Sequence, residues 1–174
     1  MVQAGVAQYQ LGNRAAAEPL LKRSMDLLPT APGAYYLGRV YEDGGNTAGA
    51  VELYKLAAGS KSPVGAEALA RLVQLDLAQN PETYLSIQPQ LDNQGRVWLT
   101  VGNRTTTPVS NVTLLVGVVD QSGRTVYGPE RVSTGGSVIP GRKSVNLRTS
   151  LGPFDSGEVL RYVKWKVEGA RPAQ

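Results

Sequence analysis

Few side chains in this sequence could do chemistry. The carboxylates with some claim to it are Glu42, Asp43, Asp92, Asp120, Asp155 and Glu158. Two acids facing each other across a cleft can hydrolyse a glycoside. These six are scattered, however, and Asp92 and Asp120 stand in Asp-x-x-Gly contexts, where the carboxylate bonds its own turn. The chain contains no histidine and no cysteine. That removes the commonest general base and metal ligand, and with them disulfides and thiolate sites. Gly44-Gly45-Asn46-Thr47 and Gly135-Gly136-Ser137 lack the Lys-Ser/Thr that opens the helix after a phosphate loop, so both read as turns. Asn103-Arg104-Thr105 and Asn111-Val112-Thr113 match the glycosylation acceptor pattern, which matters only in a eukaryotic secretory context. The expectation is a chain with no catalytic residue, no metal and no cofactor.

The basic residues are distributed unevenly. Residues 1 to 81 hold 7 Lys/Arg and 7 Asp/Glu, while residues 82 to 174 hold 11 and 7, so the whole excess of +4 lies in the second part. Alternation along the last apolar stretch puts Tyr162, Lys164 and Lys166 opposite Val163, Trp165 and Val167. With Arg148, and with Arg142 and Lys143 before it, they make a candidate basic face for phosphate backbone or anionic lipid. The competing reading is a solvated face whose lysines guard an edge strand. Nucleic-acid readers interleave stacking aromatics with basic residues. Only Tyr162 is available here, so a nucleic-acid partner is not expected.

The elements that position these residues come from two periodicities. Residues 34 to 57 carry Leu37-Gly38, Tyr41, Ala50, Tyr54 and Ala57 at the spacing of two antiparallel helices crossing at small residues. A shift of 33 residues places Gly5 on Gly38, Gly12-Asn13 on Gly45-Asn46, Ala17 on Ala50, Leu21 on Tyr54 and Ser24 on Ala57. The pattern predicts helices over Val2–Leu11, Arg14–Leu28, Ala31–Asp43 and Thr47–Ala58. Gly-Asn ends one helix and starts the next, and Pro29, Pro32 and Pro63 interrupt the ladder between pairs. A fifth helix, Val64–Asn80, has Leu69, Leu72, Val73 and Leu77 on one stripe and reads as a cap, or as the first helix of a third pair. This part resembles the tetratricopeptide repeat, with Ala34 where that family usually has tryptophan.

From Tyr84 the period changes to two. Leu85/Ile87, Val97/Leu99/Val101, Val112/Leu114/Val116/Val118, Val145/Leu147 and Val163/Trp165/Val167 alternate, and Asp92–Gly95, Asp120–Gly123 and Gly135-Gly136 punctuate them. Six or seven short strands at this spacing read as an antiparallel β-sandwich of immunoglobulin-like size. The fold class is therefore a two-domain α+β chain: an all-α repeat domain of about five helices over 1–81, then a sandwich over 84–169. Val101-Gly102-Asn103-Arg104-Thr105, Val109-Ser110-Asn111-Val112, Val118-Val119-Asp120 before Gly123, and Ile139-Pro140-Gly141 resemble the bacterial FxLYD-type domain. Val118-Val119 stand where that family has its aromatic dipeptide. The resemblance implies an accessory or ligand-contacting domain of cell-envelope proteins.

The functional expectation follows from the first resemblance. In tetratricopeptide arrays the first helix of each pair lines a groove that holds a peptide or partner helix. By position Val2, Val6, Tyr9, Tyr35, Arg39 and Glu42 would line it here; the alternative is that the tyrosines pack between repeats. Tyrosine and arginine concentrate binding energy in small patches. The chain thus reads as a non-catalytic protein-interaction or scaffold module with a protein or peptide partner. One alternative is an accessory tail of an envelope enzyme such as a zinc metalloprotease. Another is a lipid- or nucleic-acid-binding surface on the basic face. A periplasmic or envelope location is favoured over a cytoplasmic one. No apolar run approaches the ~18 residues of a membrane span. No basic-then-apolar leader precedes the helical pattern at Met1, which suggests a piece of a longer protein. Finally, if Val97, Leu99 and Val101 point inward, Trp98 points out, and Leu115 and Val119 lie opposite Leu114, Val116 and Val118. These three form a candidate interdomain patch against the fifth helix.

Overall fold

The computed structural model describes residues 1–173. The chain divides into two compact units, one spanning Met1–Asp76 and the other starting at Leu77.

The first unit is all helix: α1 (Val2–Gln10), α2 (Arg14–Leu27), α3 (Ala31–Asp43), α4 (Thr47–Ala58) and α5 (Pro63–Asp76). Gly12 and Gly45 adopt φ of +82° and +81° at the two equivalent turns, a left-handed conformation that only glycine takes without strain. Thr30 and Asn46 cap α3 and α4 by accepting from the amides of Gly33 and Gly49 at 3.2 and 3.0 Å. The crossings are close because a glycine of the first helix faces a large side chain of the second. A methyl group on Gly5 would come 2.7 Å from Leu21, and one on Gly38 would come 2.8 Å from the Tyr54 ring. The two contacts occupy equivalent places in the 33-residue shift. Ala17, Leu21, Leu37 and Val40 form the buried centre, flanked by Val6, Tyr9, Met25 and Tyr36. Pro19 lies inside α2; the Ala15 carbonyl it leaves unbonded belongs to an exposed residue, where water reaches it.

The fifth helix stops at Asp76, four residues short of the expected Asn80. Residues 77–79 form a turn, and Pro81, whose ring drives Asn80 out of the helical region to φ −128° and ψ 53°, keeps the chain from resuming that helix. A four-residue helix, α6 (Pro81–Tyr84), then leads into the strands.

The second unit holds two three-stranded antiparallel sheets. β1 (Leu85–Leu91), β2 (Val97–Asn103) and β5 (Ser144–Arg148) pair in the order β1-β2-β5. β3 (Val109–Val119), β4 (Thr125–Ser133) and β6 (Val163–Pro172) pair in the order β4-β3-β6. Alternation sorts the side chains as expected on the central strands. Val97, Leu99 and Val101 are buried, as are Val112, Leu114, Val116 and Val118. β4 had no apolar alternation to reveal it. It is an edge strand, mostly exposed, and it carries Pro129 beside a shift of register, where an edge and a bulge both tolerate it.

Two expectations about the last strand need correction. Tyr162 does not lie on it but ends a short 3-10 helix, Gly157–Tyr162. Trp165, which alternation groups with Val163 and Val167, keeps 36% of its surface exposed, although those two are buried on the same strand.

Candidate functional site

The helical unit gathers its polar side chains where α1, α3, α4 and α5 meet. Tyr9, Tyr35, Tyr36 and Tyr54 form a run of edge-on and tilted ring contacts. Centroid separations are 5.7 Å for Tyr9–Tyr36, 5.2 Å for Tyr35–Tyr36 and 5.9 Å for Tyr35–Tyr54. The Tyr54 hydroxyl donates to Glu42 at 2.5 Å, and Arg71 reaches the other oxygen of the same carboxylate at 3.2 Å. Burial, then the bond to Glu42, pushes the Tyr54 phenol far above its ordinary pKa, so it stays a donor at any physiological pH. Tyr9 donates to Asp43 at 2.9 Å, and Arg14 pairs with Asp43 at 3.1 Å. The Tyr9 phenol is raised too, by burial and then by Asp43.

Arg39 differs from its neighbours. Its guanidinium sits 5.6 Å over the Tyr9 ring and donates once, to the Tyr35 hydroxyl at 3.3 Å. Its Nε is buried and has no hydrogen-bond partner. A guanidinium carries five donors in a rigid fork, so most of the fork is unused.

The six groove candidates thus meet different fates. Tyr35 is 5% exposed and belongs to the packing. Glu42 is occupied by Tyr54 and Arg71, and Val6 and Tyr9 lean on the buried cluster. Val2 is half-buried, beside Gly33. Arg39 remains half-buried with free donors. Sequence reasoning missed Arg71 and Tyr54 as partners of Glu42, since nothing local links positions so far apart in the chain.

The sheet unit uses its turn acids structurally. Asp92 Oδ1 accepts from the amides of Gln94 and Arg96 at 2.8 and 2.9 Å, and Asp120 Oδ1 accepts from Ser122 and Arg124 at 2.8 and 3.0 Å. Backbone bonds, with help from Trp98, hold the Asp92 carboxyl below the usual aspartate range, and the Ser122 hydroxyl and Arg124 amide do the same for Asp120. Asp92 Oδ2 also accepts from the Trp98 indole at 3.0 Å, and the Arg148 guanidinium lies 5.0 Å over that ring. Trp98 therefore has partners within its own unit.

Asn103 is 3% exposed and ties three loop segments together. Its Nδ2 donates to the Thr107 and Ile139 carbonyls at 2.8 and 3.2 Å, and its Oδ1 accepts from the Thr105 amide at 2.9 Å. The match to a glycosylation acceptor at Asn103 is thus a buried structural latch.

The basic face is split. Arg148 lies on β5 with Trp98, in one sheet, while Lys164 and Lys166 lie on β6, in the other. Lys164 stands beside Gly117 and Lys166 beside Leu115, on the same side as Val119. So Lys164 and Lys166 share a face with two of the three residues of the candidate interdomain patch, Leu115 and Val119, whereas Trp98 sits in the other sheet.

Among the described residues, no three or more carboxylates come close enough to hold a metal ion, and no helix is long and apolar enough to cross a membrane. No protein-family model, no curated protein and no solved structure matches this chain.

Proposed function

We propose that this chain is a non-catalytic interaction module whose helical unit receives a carboxylate-bearing peptide or protein partner through Arg39. The observation that carries the reading is the Arg39 guanidinium. It is oriented by Tyr9 and Tyr35 and still holds a buried Nε donor without a partner. Buried donors are nearly always satisfied, and an arginine fork matches a carboxylate in two parallel bonds. Because Nε itself is closed to solvent, a partner's side-chain or terminal carboxylate is met by the terminal Nη groups, at little conformational cost because the side chain is already held.

The finer fold reading belongs to this proposal. The helix pairs are of tetratricopeptide type, supported by the equivalent Gly5–Leu21 and Gly38–Tyr54 contacts. The two sheets pair as an immunoglobulin-like sandwich, supported by the buried inner rows of β2 and β3. An envelope location and a role beside a larger enzyme rest on the sequence resemblances alone.

An array of short peptides varied in acidic content tests the reading. Binding should be enriched for Asp, Glu or a free C-terminus and should be lost in Arg39→Gln, at a stability cost of about 1 kcal/mol or less. Equal binding of acidic and basic peptides, or no loss in Arg39→Gln, would remove Arg39 from the site. The purified chain should also show no turnover of peptidase, esterase, glycosidase or phosphatase substrates.

A further inference from the structure

The outer face of the β4-β3-β6 sheet carries a hollow bounded by Leu115, Gly117, Val119, Pro129, Lys164 and Lys166. Its floor is short of side chains because Gly117 lies in the middle of β3, between Leu115 and Val119 on the same side. A methyl group there would sit 3.1 Å from the Tyr127 carbonyl oxygen and 3.5 Å from Pro129 Cα, so β4 comes close over Gly117, which is itself buried. Leu115 and Val119 supply apolar walls at either end. Register places Lys166 beside Leu115 and Lys164 beside Gly117, and two residues along one side of a strand are about 7 Å apart.

The charge on this face is only partly compensated: the bond from Arg131 holds the Glu168 carboxyl below its usual range and Lys166 lies close enough to help, while Lys164 has no such partner among the described residues. Neither Lys164 nor Lys166 makes an ion pair or side-chain hydrogen bond among the described residues. The next carboxylate along the same side of β6, Glu168, is already held by two bonds from Arg131, at 2.6 and 3.3 Å. An occupant must therefore be apolar along the hollow and anionic at its lysine edge.

We propose that this hollow is a binding site for a free single-chain anionic amphiphile. The alkyl chain lies along the hollow between Leu115 and Val119, and the head group is met by Lys164 and Lys166. Apolar contact gives affinity roughly in proportion to the area it removes from water, and the two ammonium groups select the sign of the head. The trough is shallow and open to solvent, so a single chain would lie in it lengthwise, and vesicles supply the competing membrane outcome in the test.

The test uses the full chain with Trp98→Phe, which leaves Trp165, a lining residue of the hollow, as the one indole. Emission is titrated with decanoate, decanol and decyltrimethylammonium, each below its micelle concentration. Decanoate should give a saturable change, with affinity at least about fivefold above that of the cationic amphiphile. Lys164→Gln with Lys166→Gln should weaken decanoate by about fivefold or more and leave decanol unchanged. Val119→Thr, which keeps the strand shape, should weaken decanoate and decanol together. Equal affinity for the two charged probes overturns the proposal, as does indifference to the lysine substitutions. So does sedimentation with phosphatidylglycerol vesicles when decanoate gives no saturable response.

Discussion

The two units treat charge in opposite ways. In the helical unit most charged groups near the helix crossings are satisfied internally. Glu42 serves Tyr54 and Arg71, Asp43 serves Tyr9 and Arg14, and among the described residues Arg39 alone has a buried side-chain donor without a partner. In the sheet unit Asp92 and Asp120 are spent on turns, Glu130 on Ser150 and Glu168 on a pair with Arg131, while Lys164 and Lys166 on β6 make no hydrogen-bonded ion pair among the described residues. The physical reason is the geometry of each element. A helix pair brings long side chains from several turns together, so opposite charges meet. A sheet face holds its side chains in parallel rows and leaves an edge-strand row unmatched unless the neighbouring strand supplies the partner. The groups proposed above to bind partners accordingly differ: one oriented arginine in the first unit and a lysine row in the second.

Substitutions that remove internal partners sharpen this contrast. The largest effect should come from Asn103→Ala, which strips bonds from buried loop groups and should cost about 3 kcal/mol. Both tryptophans lie in the sheet unit, so their emission should report a lower denaturation midpoint; an unchanged midpoint would mean the latch is dispensable. Ala50→Leu should come next, at about 2 kcal/mol from overpacking the α3–α4 crossing, read by far-UV ellipticity. Tyr54→Phe removes the hydroxyl from Glu42 but leaves Arg71 to satisfy it, and should cost about 1 kcal/mol. If Tyr54→Phe costs more than Ala50→Leu, the polar network outweighs the packing and the ordering is wrong.

The smallest expected effect is on acid stability. The Asp92 and Asp120 carboxyls are depressed in the folded chain by their turn amides and by Trp98, Ser122 and Arg124. A depressed folded pKa contributes stability above the unfolded aspartate range and loses it as pH falls through the folded value. Acid should therefore weaken the sheet unit only below the ordinary aspartate range. Asp92→Asn should flatten that loss, since an amide has no charge to titrate, and its tryptophan emission should change, because the amide can turn only one oxygen toward its several donors. An acid profile identical to that of the parent chain would show that Asp92 contributes nothing to it.

Much of this was legible from spacing alone. The 33-residue shift and the Gly-Asn punctuation placed four helices to within a residue, because helix starts and stops depend on neighbours in the chain. Alternation identified the buried rows of β2 and β3 for the same local reason, and Asp-x-x-Gly announced turns whose bonds span only a few residues. β4 escaped because an exposed edge strand with a proline needs no apolar period. The Tyr162 placement failed because alternation was carried past the point where a 3-10 helix begins.

What the chain alone decided, then, is where each element lies and which side of it is apolar, since those follow from propensity, period and breakers within a few residues. Which strands become neighbours is not written in a period of two. Tertiary pairing sent Arg148 to β5 beside β2, and Lys164 and Lys166 to β6 beside β3, dividing one expected basic face between two sheets. It also put Lys164 and Lys166 against Leu115, Gly117 and Val119, and closed Glu42 between Tyr54 and Arg71 while leaving Arg39 with a buried Nε that has no partner. Those outcomes depend on contacts between residues far apart in the chain, which burial and close packing select only when the whole unit condenses.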